Sequence, residues 1–124
     1  MKPGLKSRTD QFGPMKTGEI WVVELPVLGG YEQHGTRPVI VVGDPALSVV
    51  LIVPLTTNHD YLKFSHTVLM NFSTMSGLDK DSVALVFQLR AIDKRRFRNK
   101  IGQLSLLETK MIKKTMAKLL GLTH

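Results

Sequence analysis

Three groups of polar side chains stand at the ends of apolar runs. Arg37 follows a glycine-punctuated stretch, G-G-Y-E-Q-H-G-T (29–36), and precedes P-V-I-V-V (38–42). Thr56 and Thr57 follow S-V-V-L-I-V-P-L (48–55), and Gln88 and Arg90 emerge from S-V-A-L-V-F (82–87). The loop before Arg37 also offers Glu32, Gln33, His34 and Thr36. An arginine fork beside hydroxyl and amide donors suits a phosphodiester: it holds the phosphate and balances charge that develops on the phosphorus oxygens. Each group has a plain structural use as well. Thr56 can cap a turn, Gln88 can satisfy a neighbouring backbone group, and Arg90 can lay its stem over apolar surface. Arg37 can equally be a solvated arginine at a loop–strand junction.

The elements that must position these groups are legible from pattern. Gly29, Gly30 and Gly35 allow positive φ. Pro38 fixes its own φ and pushes Arg37 towards an extended conformation. Val39–Val42 reads as a strand buried on both faces. Glu19–Leu25 is a strand with Trp21 and Val23 on one side and Ile20 and Val22 on the other. Ser48–Leu55 is a third strand, and its Pro54 calls for an edge position or a strand end. A polar loop over 56–65 leads to a short strand at Thr67–Asn71, then to a turn-rich loop over 72–81. Ser82–Ala91 reads as one long strand, Asp93–Arg98 as a basic helical turn, and Lys100–Leu104 as a brief strand. Ser105 and Glu108 form an S-x-x-E capping box that opens a helix. Its apolar face is Leu107, Met111, Ile112, Met116, Leu119 and Leu120, with lysines on the other side. Gly121 ends it. The sum is a mainly β chain with a C-terminal α-helix packed on a small, strongly bent antiparallel sheet or barrel.

At 124 residues the chain is expected to form one domain over 18–124, with 1–17 as a flexible N-terminal arm. Met15-Lys16 is an alternative start. No apolar run approaches the ~20 residues of a membrane span, and the arm lacks the apolar segment of a secretory signal. The absence of cysteine excludes disulfides and thiolate metal sites and fits a reducing cytoplasm. His34, His59, His66 and His124 lack ligand spacing, so neither a metal nor a cofactor is expected. The P-loop, G-x-S-x-G and H-E-x-x-H patterns are missing. A net charge of +7 draws polyanions: nucleic acid first, an acidic protein equally well.

Taken together, G-Y-E-Q-H-G-T-R-P-V (30–39), V-P-L-T (53–56), D-S-V (81–83), Q-L-R-A-I-D-K-R (88–95) and I-G-Q-L (101–104) resemble the MazF/PemK family of toxin endoribonucleases. The resemblance runs in order from Gly18 to Leu122. It implies an SH3-like β-barrel with a C-terminal helix and a homodimer. It also implies metal-independent cleavage of single-stranded RNA, mostly messenger RNA, at short sequences. The implied partner is an antitoxin whose acidic C-terminal segment covers the RNA site. Arg37 and Thr56 match the family's cleavage residues. Glu32 and His34 are then candidates to move protons, and Tyr31, Gln33, Thr36, Thr57, Asn58, His59, Gln88 and Arg90 are candidates to contact RNA. The basic 94–100 segment and the 57–65 loop are expected to help. In one branch of the family a histidine stands at the position of Tyr31, and an arginine and an aspartate at those of Leu85 and Phe87. That branch's acid–base arrangement does not carry over. The same fold also includes a toxin that inhibits DNA gyrase by protein–protein contact, the alternative function.

Overall fold

The computed structural model describes residues 12–27, 34–71 and 73–122. The β-branched runs form β1 (Glu19–Leu25), β2 (Gly35–Gly43), β3 (Val49–Thr56), β4 (Thr67–Met70), β5 (Ser82–Leu85), β6 (Arg90–Asp93) and β7 (Phe97–Gln103). Helix α1 (Leu106–Leu119) closes the chain, and single 3-10 turns occupy His59–Lys63, Val86–Gln88 and Lys94–Arg96. All the pairings are antiparallel, in the order β4-β5-β3-β2-β1-β7, with β6 also on β3. The ladder does not close into a barrel, because β4 and β7 end the path. The loop after β4 lies across β7 instead: Gln103 N–H donates to Met75 O at 2.9 Å. Gly77, at φ +71°, comes so near that a Cβ there would stand 2.1 Å from Ile101 O. Only glycine fits this seam.

Strand β2 is buried on both faces, as its unbroken β-branched run requires. Val39 and Val41 pack with Trp21, Val23, Val50 and Ile52 on one face, and Ile40 and Val42 pack with Val53, Leu55, Val86 and Ile112 on the other. Each such side chain removed from water contributes about 1.5–3 kcal/mol. Helix α1 begins at the expected box: Ser105 Oγ accepts from Glu108 N–H at 3.1 Å, and Ser105 N–H donates to Glu108 Oε1 at 3.0 Å. Its apolar face divides. Ile112 is buried and Met116 and Leu119 pack partly, but Leu107, Met111 and Leu120 are exposed.

Several expectations need correction. Ser82–Ala91 is not one strand: the turn at Val86–Gln88 splits it into β5 and β6, which pair with different parts of β3. Strand β3 is interior, not an edge. Its flank passes from β6 at Ile52–Arg90 to β5 at Leu55–Ala84, so Val53 and Pro54 have no strand partner there. The proline sits where that ladder is interrupted, near the strand end, as a residue without N–H must. Strand β7 starts at Phe97, three residues earlier than expected. Residues 12–17 are packed, unlike the free arm expected. Met15 is buried, its N–H donates to Asp44 Oδ2 at 2.9 Å, and Phe12 meets Trp21 edge-on at 5.0 Å.

Candidate active site

Strands β2 and β3 pair at Val39–Pro54, Ile40–Val53 and Val41–Ile52. Continued by two residues, this register sets Arg37 level with Thr56. Residues opposite one another in an antiparallel pair share a face. Arg90, opposite Ile52 on the other flank of β3, belongs to that face too. Arg37 and Thr56 are thus level at the polar end of one face, and Arg90 lies on the same face four residues back along β3, beside Ile52.

Each is held differently. Thr56 is buried, and its Oγ1 accepts from Asn58 N–H at 3.2 Å. That leaves the hydroxyl proton to donate. Arg37 is exposed, and its Nε donates to His34 O at 3.1 Å. Gly35, at φ +80°, makes the bend between them. The guanidinium is braced by a neutral carbonyl, so its charge is not neutralised by the contact. Arg90 is half-buried, with Nε and Nη1 shielded from solvent.

The other expected residues scatter. Thr36 alternates to the opposite face from Arg37 and donates to the Glu24 carboxylate across the β1–β2 pair. Thr57 lines a separate cavity of about 370 Å³ with Val22, Pro38, Leu78 and Lys80. His59 is exposed, with Nε2 3.1 Å from Asp81 O. His34 is exposed. Tyr31, Glu32 and Gln33 lie outside the described residues.

Asn58 and Gln88 do come together. Asn58 caps the His59–Lys63 turn by accepting from Asp60 N–H at 3.0 Å. With Gln88 it lines a cleft of about 440 Å³ whose remaining walls include Tyr61, Lys63, Phe64 and Phe87. These aromatics were missed by sequence reasoning. The available signal was the spacing of Tyr61 and Phe64, since a 3-10 turn aligns residues i and i+3.

In the basic 94–100 segment Lys94, Arg95 and Lys100 each meet a carboxylate, and of these only Lys94 is buried by it. Lys94 Nζ lies 3.2 Å from Asp44 Oδ2, with the two side chains 7% and 4% exposed. Burial pushes the Asp44 carboxyl up, but the N–H groups of Met15 and Ala46 and the Lys94 ammonium outweigh it and hold the group below its ordinary value. Arg95 hydrogen-bonds Asp93 at 2.9 Å, which lowers the pKa of that carboxyl and raises its own. Lys100 pairs with Glu19 at 3.2 Å. Among the described residues, no three of His, Cys, Asp and Glu gather as metal ligands do, and no helix is long and apolar enough to cross a membrane.

An open, bent antiparallel sheet with a terminal helix and an arginine–threonine pair at one polar end defines the class. Residues 16–120 match the family described as PemK-like, MazF-like toxin of type II toxin-antitoxin system, and the chain belongs to that family. The Endoribonuclease MazF of Staphylococcus saprophyticus is 31% identical over 112 residues, covering 87% of this chain and 92% of the relative. A mycobacterial endoribonuclease solved in complex with its cognate antitoxin shares the fold. Its TM-score is 0.70 at 21% identity, over 90% of this chain and 99% of that one. So does MazF from Deinococcus radiodurans, with TM-score 0.70 at 19% identity over 87% and 96%.

Proposed function

We propose that this chain is a toxin endoribonuclease that cuts single-stranded RNA, chiefly messenger RNA in the cytoplasm, at short sequences and without a metal ion. The observation that supports this reading is the register that sets Arg37 level with Thr56 on one sheet face. The staphylococcal relative is named an endoribonuclease, which agrees with it.

RNA carries its own nucleophile. The 2′-oxygen forms a bond to phosphorus while the bond from phosphorus to the 5′-oxygen of the next nucleotide breaks. The products are a 2′,3′-cyclic phosphate and a 5′-hydroxyl. Arg37 stabilises the dianionic phosphorane, and the Thr56 hydroxyl donates to a phosphate oxygen. One group must take the 2′-hydroxyl proton and another must protonate the leaving oxygen. Arginine titrates too high for easy proton transfer. Glu32 and His34, just before Arg37 in the chain, are the candidates for both steps. Tyr31, Gln33, Thr36, Thr57, Asn58, His59, Gln88 and Arg90 are proposed to contact the strand.

The chain acts as a homodimer, restrained by an antitoxin whose acidic C-terminal segment occupies the same face. The +7 charge favours both an RNA strand and such a segment. The test is to incubate the purified protein with a long single-stranded RNA in EDTA and map the cut ends. Discrete cuts ending in cyclic phosphate are expected. Intact RNA, or cutting that EDTA abolishes, would overturn the proposal.

A further inference from the structure

We infer that the cleft walled by Tyr61, Phe64 and Phe87 is a stacking subsite for one unpaired base of the RNA strand, next to Thr56. The inference rests on the RNA-cleaving reading above and adds how the strand is held. Ring centroids of Tyr61 and Phe64 are 5.8 Å apart, and those of Phe64 and Phe87 are also 5.8 Å apart. The three rings thus form a continuous row. Phe64 is 48% exposed and Phe87 38% exposed, where most phenylalanines are buried. A cleft of about 440 Å³ lies within the ~300–1,000 Å³ of small-ligand sites.

What surrounds the rings points to a nucleotide. Lys63 Nζ stands 5.4 Å from the Phe64 ring centre, where it can also meet a phosphate. Asn58 and Gln88 bring amides to the same cleft, and such groups hydrogen-bond base edges. Asn58 Oδ1 accepts from Asp60 N–H, so its amide N–H groups are the donors on offer. Asn58 N–H meanwhile bonds Thr56 Oγ1 at 3.2 Å. The threonine proposed to touch the phosphate and the wall of the cleft are thus joined through one residue. A second copy of the chain would also cover apolar rings, but the core of a protein interface is depleted in lysine. Asp60 also lines the cleft, where its carboxylate can accept from a base amino group while Lys63 meets the phosphate, and a row of rings with such an edge suits an unpaired base, because every base has a face to stack.

The test uses a uniformly 2′-O-methylated, hence uncleavable, single-stranded RNA of the mapped cut sequence, with affinity read by fluorescence anisotropy. Phe64→Leu and Phe87→Leu keep apolar bulk and remove a ring. Each is expected to weaken binding on the order of 10- to 100-fold, while Phe64→Trp binds within about twofold of the original. The new tryptophan is quenched as RNA binds, and that signal decides the matter where a leucine variant melts below the assay temperature. Leucine variants that bind like the original overturn the subsite while leaving the cleavage reading standing. Leucine variants that dissociate a dimer in sedimentation, with RNA affinity unchanged, assign the rings to a second copy and overturn it too. An original protein that neither binds nor cuts any single-stranded RNA removes the cleavage reading, and the subsite with it.

Discussion

Lys94, in the turn after β6, and Arg37, on β2, are both cations, and the fold uses them in opposite ways. Lys94 follows β6, its N–H donates to Ser48 O at 2.9 Å, and its ammonium is buried against Asp44. Arg37 stands exposed on β2, braced by the neutral carbonyl of His34. A buried cation closed by a carboxylate is spent on holding the fold together. An exposed one steadied by a carbonyl keeps its charge for an anion that arrives later. Net charge weighs the two alike, so it cannot tell where an RNA strand would lie.

The largest effect that sharpens this contrast is on stability. Lys94→Ala leaves Asp44 buried without its cation, at a cost of about 3–5 kcal/mol, or on the order of 10–20 °C in melting temperature. Cleavage measured well below that melting point stays as in the original. A variant that melts normally would break the structural half of the comparison. Next comes Thr56→Val, which removes a hydroxyl donor to a charged oxygen. It should slow cleavage on the order of 10- to 100-fold, measured as initial rates on a defined RNA. Melting should change little by comparison.

Acid should report chiefly on Asp44, because the other lowered carboxyl, Asp93, belongs to a more exposed pair that adds little. The folded pKa of Asp44 lies below the ordinary 3.8, so the stability it adds is present above that value and lost as pH falls through the folded pKa. Melting temperatures between neutral and strongly acid pH should therefore fall less steeply for Asp44→Asn than for the original, from a lower start. The smallest effect belongs to Arg95, whose side chain is 62% exposed beside Asp93. Arg95→Ala should leave the melting temperature unchanged within error, since an exposed pair adds little. A clear drop would erase the distinction between buried and exposed cations.

How much of this was legible depended on distance along the chain. The capping box at Ser105–Glu108, the double-sided burial of β2 and the brace of Pro38 behind Arg37 are local, and the sequence shows them directly. The break at Val86–Gln88 is not, because S-V-A-L-V-F-Q-L-R-A contains no glycine or proline. It arises from β3, which offers one flank to two strands and loses its partner at Val53–Pro54. The burial of the Lys94 charge was hidden for a similar reason, since Asp44 is fifty residues away in sequence. Residues 12–17 looked like arm because Met15 and Phe12 are only two apolar side chains in a polar stretch, yet both pack on the cluster around Trp21. The aromatic row was divided as well. Tyr61 and Phe64 share a turn, but Phe87 reaches them only because β4 and β5 pair at Thr67–Leu85.

The proposed cleavage depends most directly on the free charge of Arg37. The direct measurement is the initial rate of RNA cleavage in EDTA by the original protein and by Arg37→Ala, with melting curves taken on the same preparations. A fall on the order of 10²- to 10³-fold is expected, with the melting temperature unchanged. Cleavage at the original rate by a folded Arg37→Ala protein would contradict this role of Arg37.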